Sequence, residues 1–404
     1  MPDKPNILVV SPTFPYPLIA GGKIRIYNIL KQLSKNFCIT LLSLVESGEG
    51  SFQDKQSLSF LEHMVLVPIK QNKSAQIIRL ICNLHRWFRG TPAEVLVKNS
   101  LNMRKEIDRL LKSTQFKAVQ IEYAQGMQYL PANHLCNIPL ILVAHDVSFV
   151  SQQRKAEVAK GFTKWFWQIE AKRMKFYEKK IWKTCTRIAV MSDVDRDNII
   201  RLVPDANVDV VPNGVHIQYD LKKVESKTPT LVFTGWMRHL PNRDALLWFI
   251  KDIWPQIKKE TPKICFKVIG KGVPSTIKTI AANDPGICLL GYVEHIDEII
   301  STSWLSVVPI RIGSGSRLKI LESMSLKTPV VSTTVGCEGL HVKEGIHIKI
   351  ADKAETFSKA VLDLLNNEKR RQALSDNAFT LVKTHYAWDQ IGLAAQHTIK
   401  QSMR

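Results

Sequence analysis

Residues 309–340 read PIRIGSGSRLKILESMSLKTPVVSTTVGCEGL. An apolar run leads into a glycine- and serine-rich loop, Ile312 to Ser316. An amphipathic helix is expected over Arg317 to Ser325. A second apolar run, Pro329 to Ser332, closes the unit ahead of Gly336 and Gly339. The order is strand, loop, helix, strand. A helix that starts straight after such a loop leaves its first N–H groups free and presents the positive end of its dipole. That geometry receives phosphate. Arg317 and Lys319 add two cations in the first turn. Glu322 lies further along, where a carboxylate accepts two hydroxyls of a sugar ring. An anion site beside a diol acceptor is what a nucleotide-sugar diphosphate needs. The loop alone reads equally well as an ordinary turn of a doubly wound sheet.

Outward from that stretch, 404 residues are enough for two α/β domains, and 45% hydrophobic content can fill both cores. No run is long and apolar enough to span a bilayer. The first apolar run, Ile7 to Val10, is too short for a secretory signal, so a cytoplasmic protein is expected. Seven cysteines are scattered without CxxC spacing. They read as buried thiols of a reducing compartment, not as a disulfide frame or zinc site. The formal net charge of +20 calls for an anionic partner: nucleic acid, anionic lipid or an anionic small substrate.

In the first half, Asn6 to Val10 reads as a buried parallel strand. The loop after it delivers Gly21, Gly22, Lys23 and Arg25 to a helix start, where glycine lets backbone approach a ligand closely. Strands are expected at Cys38–Leu44, Met64–Val67, Ala118–Ile121, Pro139–Ala144, Arg187–Met191 and Val208–Val211. Glu46 to Gln56 is polar and reads as a mobile loop. Helices are expected over Lys70–Gly90, Asn102–Lys112 and Asp193–Leu202. Glu122 and Tyr123 follow one strand tip, and His145-Asp146 another, the edge where open α/β sheets bind ligands. Imidazole there suits a hydrogen bond to a sugar hydroxyl or a proton relay; a capping or core-edge histidine is the plainer reading. Ser151 to Val190 holds 11 Lys/Arg against 3 Glu, interleaved with Trp165, Phe166, Trp167, Phe176, Tyr177 and Trp182. Trp167, Ala171, Met174 and Ile181 share a helical face and belong to the core. The remaining basic and aromatic surface suits a peripheral membrane helix, a nucleic-acid surface or simply a solvated face.

From Thr230 a second α/β alternation begins, with strands at Leu231–Thr234, Cys265–Ile269, Ile287–Leu290 and Leu305–Pro309. Helices are expected at Ala245–Ile257, Asp297–Thr302, Ala354–Asn366, Glu368–Thr384 and Gln390–Met403.

The 309–340 stretch resembles the donor-binding signature of GT-B glycosyltransferases, in particular the retaining group 1 or GT4 family. In one subset of that family the loop reads R-x-G-x-G-x-R-x-K-x-x-E, and Arg311, Gly313, Gly315, Arg317, Lys319 and Glu322 fit it at every place. The family's usual first glutamate falls at Ser314 and is absent. VVPNGV, Val210 to Val215, matches a motif of the family's domain junction, with His216 where Asp often follows. The resemblance implies an α/β GT-B fold: two Rossmann-like, doubly wound parallel sheets facing across a cleft. It divides the chain into residues 1–215 on the acceptor side, 216–385 for the donor, and a returning helix over 386–404. It implies donor contacts from Gly21, Gly22, Arg25, Arg238, Val293, Gly313, Ser314, Gly315, Ser316, Arg317, Leu318, Lys319 and Glu322, with Arg243 competing with Arg238 for the diphosphate. Asn242 stands where some relatives show Lys. His145, Arg317, Lys319 and Glu322 are the expected catalytic residues. No metal and no cofactor beyond the nucleotide-sugar co-substrate is expected. The expected acceptor is a glycan, a lipid-linked sugar or a small molecule. An anionic membrane contact through residues 151–190 is favoured over nucleic acid. The competing reading is a basic membrane- or nucleic-acid-binding protein on a catalytically degenerate GT-B fold.

Overall fold

The computed structural model describes residues 4–69, 73–131, 138–313 and 317–404. The chain divides into two compact units, Met1–Pro212 with Ile391–Arg404, and Asn213–Gln390.

The first unit is built on seven strands: β1 (Asn6–Ser11), β2 (Cys38–Val45), β3 (His63–Pro68), β4 (Ala118–Glu122), β5 (Leu140–Ala144), β6 (Arg187–Val190) and β7 (Val208–Val210). They form one sheet in the order β3-β2-β1-β4-β5-β6-β7. Every pairing is parallel, with Val9 of β1 opposite Leu41 on one side and Gln120 on the other. The central strands carry continuous apolar runs because helices cover both faces. Ile7 to Val10 are at most 1% exposed. The chain's last residues complete this unit. Gly392 packs on the Gln32 side chain, and Gln396 Nε2 donates to the Gln32 carbonyl at 2.9 Å.

In the second unit, β8 (Thr230–Thr234), β9 (Cys265–Ile269), β10 (Ile287–Gly291), β11 (Leu305–Val308), β12 (Val330–Ser332) and β13 (Lys349–Ile350) form a parallel sheet in the order β10-β9-β8-β11-β12-β13. Its core runs from Val215 through Phe233, Phe249 and Phe266 to Phe357 and Tyr386. Both sheets reverse direction of growth at one place, between β1 and β4 and between β8 and β11. Ligands of open α/β sheets bind at the strand C-termini beside such a point.

The structure shifts several sequence expectations. The unit boundary falls at 212/213, because Val215 donates to the Tyr386 carbonyl at 2.7 Å and so stays with the second unit. Residues 386–390 stay there too, and Trp388 fills the space where a side chain on Gly214 would stand. Glu46–Gln56 contains a short helix, Phe52–Gln56, fixed by a capping box of Ser51 and Asp54. The basic tract splits at Ala159 and Lys160, both extended, between one helix, Ser148–Val158, and the next, Gly161–Trp182. The helix expected from Ala245 begins at Leu240 and widens to a π turn over Phe249–Ile253 just before Pro255, which has no N–H to give. The six described cysteines are all free, and Cys38, Cys265 and Cys288 are half-buried, not fully enclosed.

Candidate active site

In the second unit the site grows from the loops at the C-terminal ends of β8, β9 and β11. These loops come close because three positions lack a Cβ. A side chain on Gly270 (φ +139°) would strike the Gly235 carbonyl at 1.8 Å, and one on Gly272 would strike Arg238 Cγ at 2.8 Å. Gly235 in turn seats the side chain of Asn242.

Helix Leu318–Ser325 follows β11, with Arg317 as its N-cap, whose own side chain makes no capping hydrogen bond. The orphan N–H groups therefore face the loop side. Gly313, at φ +115°, lies against the Arg317 guanidinium, leaving only 2.7 Å for a Cβ. Lys319 is half-buried above the Phe233 ring, 4.6 Å from its centroid. Its ammonium donates to the Thr234 carbonyl and, at 2.9 Å, to Asn242 Oδ1. Asn242 Nδ2 donates to the Trp236 carbonyl at 3.0 Å. Asn242, standing where some relatives show a lysine, thus holds this chain's own lysine in place.

Burial pulls Lys319 down to about 7, and the Arg317 charge adds to that while Glu322 opposes it. Glu322, one turn on, is pushed up to about 7 by burial and by Asp297, against the pull of Lys319. Burial thus moves the two groups, one turn apart, toward each other from opposite ends of the scale.

The other predicted residues of this unit fall as follows. Ser314, Gly315 and Ser316 lie outside the described residues. Leu318 opens the helix and offers its backbone amide. Val293 is half-buried against Val232, Ile269, Ile300 and Leu326. Arg238 and Arg243 are both exposed. Arg238 alone lies in the glycine-lined turn against Gly272. Arg311 is spent on structure: it makes a bidentate pair with Asp244 at 3.0 and 2.7 Å and stacks over Trp248.

In the first unit a second polar cluster sits at the ends of β4 and β5. His145 Nε2 lies 2.6 Å from Glu122 Oε2, and Gln120 Nε2 donates to Glu122 Oε1 at 2.6 Å. The imidazole stacks on Tyr123 with centroids 3.8 Å apart and planes 14° from parallel. Tyr123 takes φ +63°, which aims its ring across the sheet edge. Its hydroxyl fills the space at Gly22, 2.0 Å from where a Cβ would be. Gly22 is required there by the tyrosine. Gly21 begins helix Gly21–Leu33. Burial lowers the His145 pKa, while the Glu122 hydrogen bond and charge act against that. A neutral ring whose Nε2–H is given to Glu122 leaves Nδ1 as the basic nitrogen. Asp146 is pushed up to about 7 by burial and by Glu94 and Asp195. Arg25, placed by the sequence on a ligand-facing wall, is 2% exposed. It donates to the Pro212 and Val211 carbonyls at 2.5 and 2.7 Å. Lys23 likewise pairs with Glu49.

Sequence reasoning left Asn242 and the Glu122–Tyr123 pair without roles. The position of Glu122 at a strand tip was the available signal for the second.

Two Rossmann-ordered parallel sheets, each with its polar cluster at the strand C-termini, define the GT-B class of fold. Residues 21–219 match Glycosyltransferase Family 4 and residues 228–367 match Glycosyl transferases group 1, together 339 of the 404 residues. The chain is composed of two glycosyltransferase family domains. A Klebsiella pneumoniae protein described as an uncharacterized 44.6 kDa protein in the cps region is 22% identical over 391 residues, covering 94% of this chain and 96% of that one. Sucrose-phosphate synthase from Thermosynechococcus elongatus has a similar structure, with TM-score 0.73, 15% identity and 98% of each chain covered. A mutant of S. aureus TarM in complex with fondaparinux, α-GlcNAc-glycerol and UDP gives TM-score 0.70 at 12% identity, covering 98% of this chain and 99% of that one.

Proposed function

We propose that the chain transfers a hexosyl residue from a nucleoside diphosphate sugar to an acceptor hydroxyl, with retention at the anomeric carbon, in the building of a polysaccharide or glycolipid. The observation that carries this is the Lys319 ammonium, held by Asn242 and the Thr234 carbonyl in the first turn of the helix that Arg317 opens. Breaking the bond between the sugar C1 and the β-phosphate oxygen leaves negative charge on that oxygen. Lys319, Arg317 and the first helix amides stabilise it, in a site where fixed donors act more strongly than water does. Arg238, in the glycine-lined turn, reaches the same diphosphate. Glu322 accepts the ribose hydroxyls. Val293 and its neighbours back the base. In the first unit His145, oriented by Glu122 and stacked on Tyr123, hydrogen-bonds a sugar hydroxyl. The acceptor proton passes to the departing phosphate as the acceptor oxygen bonds to C1. Both cations come from the chain itself, so no resident metal is assigned to this step. The S. aureus TarM complex contains UDP and a glycosylated glycerol, which supports a UDP-type donor and a polyol acceptor.

The test is a thermal-shift panel of UDP, GDP, ADP, CDP and TDP, with and without EDTA. At a hundredfold excess over Kd the bound nucleotide stabilises by about 2.7 kcal/mol. A shift for one base that Lys319→Ala abolishes supports the reading. Silence from all five at millimolar concentration overturns it.

A further inference from the structure

The strongest feature outside the nucleotide site is the outer face of helix Gly161–Trp182 in the first unit. Steps of three and four residues along it pass through Phe162, Trp165, Ile169, Arg173, Phe176 and Lys180, a single stripe. Phe162 is 75% exposed, Trp165 53% and Phe176 76%. The helix has six cations, and Lys164, Lys172, Lys175, Lys179 and Lys180 all stand exposed. Its two acids do not. Glu170 and Glu178 are each 1% exposed. Glu170 accepts from Trp87 Nε1 and the Ala93 amide, and Glu178 from the Ser148 and Phe149 amides. Folding therefore sorts this helix, with both carboxylates inside and five of its six cations outside beside Phe162, Trp165 and Phe176.

A second helix, Lys73–Phe88, adjoins it. Trp87 anchors it through Glu170, and Arg173, a member of the stripe, stacks over Trp87 at 4.3 Å. Leu80 (59%), Ile81 (61%), Leu84 (48%) and Phe88 (75%) form its exposed face. Two adjacent helices thus present large apolar side chains to solvent, fringed by cations with no acid on the longer helix's outer face. Exposed apolar surface of this extent marks an interaction site.

We infer that this face seats the protein on an anionic phospholipid bilayer. The chemistry selects that occupant over nucleic acid. Bases stack on aromatic rings and give leucine and isoleucine nothing to bind, whereas hydrocarbon takes up both kinds of side chain and the flanking lysines meet the headgroup charge. No described helix is long and apolar enough to cross a membrane, so the contact is interfacial. This goes beyond the transfer reaction and uses none of the residues assigned to it.

The experiment is co-sedimentation of the full chain with vesicles of phosphatidylcholine alone, or with about one third phosphatidylglycerol. Binding is expected to the anionic vesicles and to fall in about 0.5 M salt. Lys179→Gln with Lys180→Gln weakens it about thirtyfold, and Phe162→Ser with Trp165→Ser about tenfold or more. Both double variants keep the wild-type melting temperature and nucleotide shift, since the four side chains are exposed. No binding to anionic vesicles at low salt overturns the inference. So does wild-type binding by both double variants, or single-stranded RNA that displaces the vesicles completely.

Discussion

If Lys319 meets the donor diphosphate as proposed, nucleotide binding is a proton-uptake reaction. In the free protein burial and Arg317 bring its ammonium to about 7 from an ordinary 10.5. A diphosphate placed beside it favours the charged form and restores the higher value. The bound state then holds the proton more tightly than the free state. Binding above pH 7 takes up a proton, and affinity falls as pH rises; below pH 7 both states are protonated and the dependence fades. If binding restores the full ordinary value, raising the pH from about 7.5 to about 9.5 weakens the nucleoside diphosphate about seventyfold, ~2.5 kcal/mol. That window lies above the titration of Glu322, also brought to about 7. Isothermal titration calorimetry in two buffers of different ionisation heat reads the uptake directly, about three quarters of a proton at the lower pH. Lys319→Gln binds weakly at every pH and shows no uptake. A flat affinity for the wild type across this window, or a slope that persists in Lys319→Gln, refutes the reasoning.

Three further outcomes are expected. Gly22→Ala drives a Cβ to within 2.0 Å of the Tyr123 hydroxyl and destabilises by about 1–3 kcal/mol in chemical denaturation. Adding Tyr123→Phe recovers most of the loss, because the nearest remaining atom is then the ring carbon at 3.3 Å. Gly270→Ala combines a collision at the Gly235 carbonyl with a φ of +139°. It costs about 3 kcal/mol and abolishes the nucleotide-induced thermal shift, because the displaced Gly235 turn is the seat of the Asn242 side chain. Glu122→Gln removes the charge that raises the His145 pKa, so the histidine titrates at still lower pH by NMR and the acid limb of the pH–rate profile moves down with it.

The sheets and the helix after β11 were legible because their signals are local. Four consecutive buried residues announce β1, and a glycine loop followed by an amphipathic period announces the helix that begins at Leu318. The residues that set the chemistry depend on partners far along the chain. Asn242 meets Lys319 across 77 positions, and Glu122 meets His145 across 23. Arg25 looked like a ligand contact because it stands beside two glycines at a helix start. Its hydrogen bonds lie 186 and 187 residues away, on the carbonyls of Val211 and Pro212. Nothing within its own loop could have shown that. Tyr123 adopts a left-handed backbone that its residue type disfavours, and the reason is the space at Gly22.

The basic tract shows what composition conceals. Eleven cations against three glutamates over residues 151–190 describe an average over all sides of two helices and a strand. An average of that kind cannot separate a solvated face from a docking face. The separation comes from packing: a carboxylate is buried only where donors meet it, and the Trp87 indole, the Ala93 amide and the Ser148 and Phe149 amides are those donors. Each acid drawn inward leaves the outer surface more positive than the sequence balance implies. The exposed aromatics on the same side therefore stand in a field that no acid of that helix offsets, and this pairing, more than the net charge of +20, is what motivates the inferred bilayer contact.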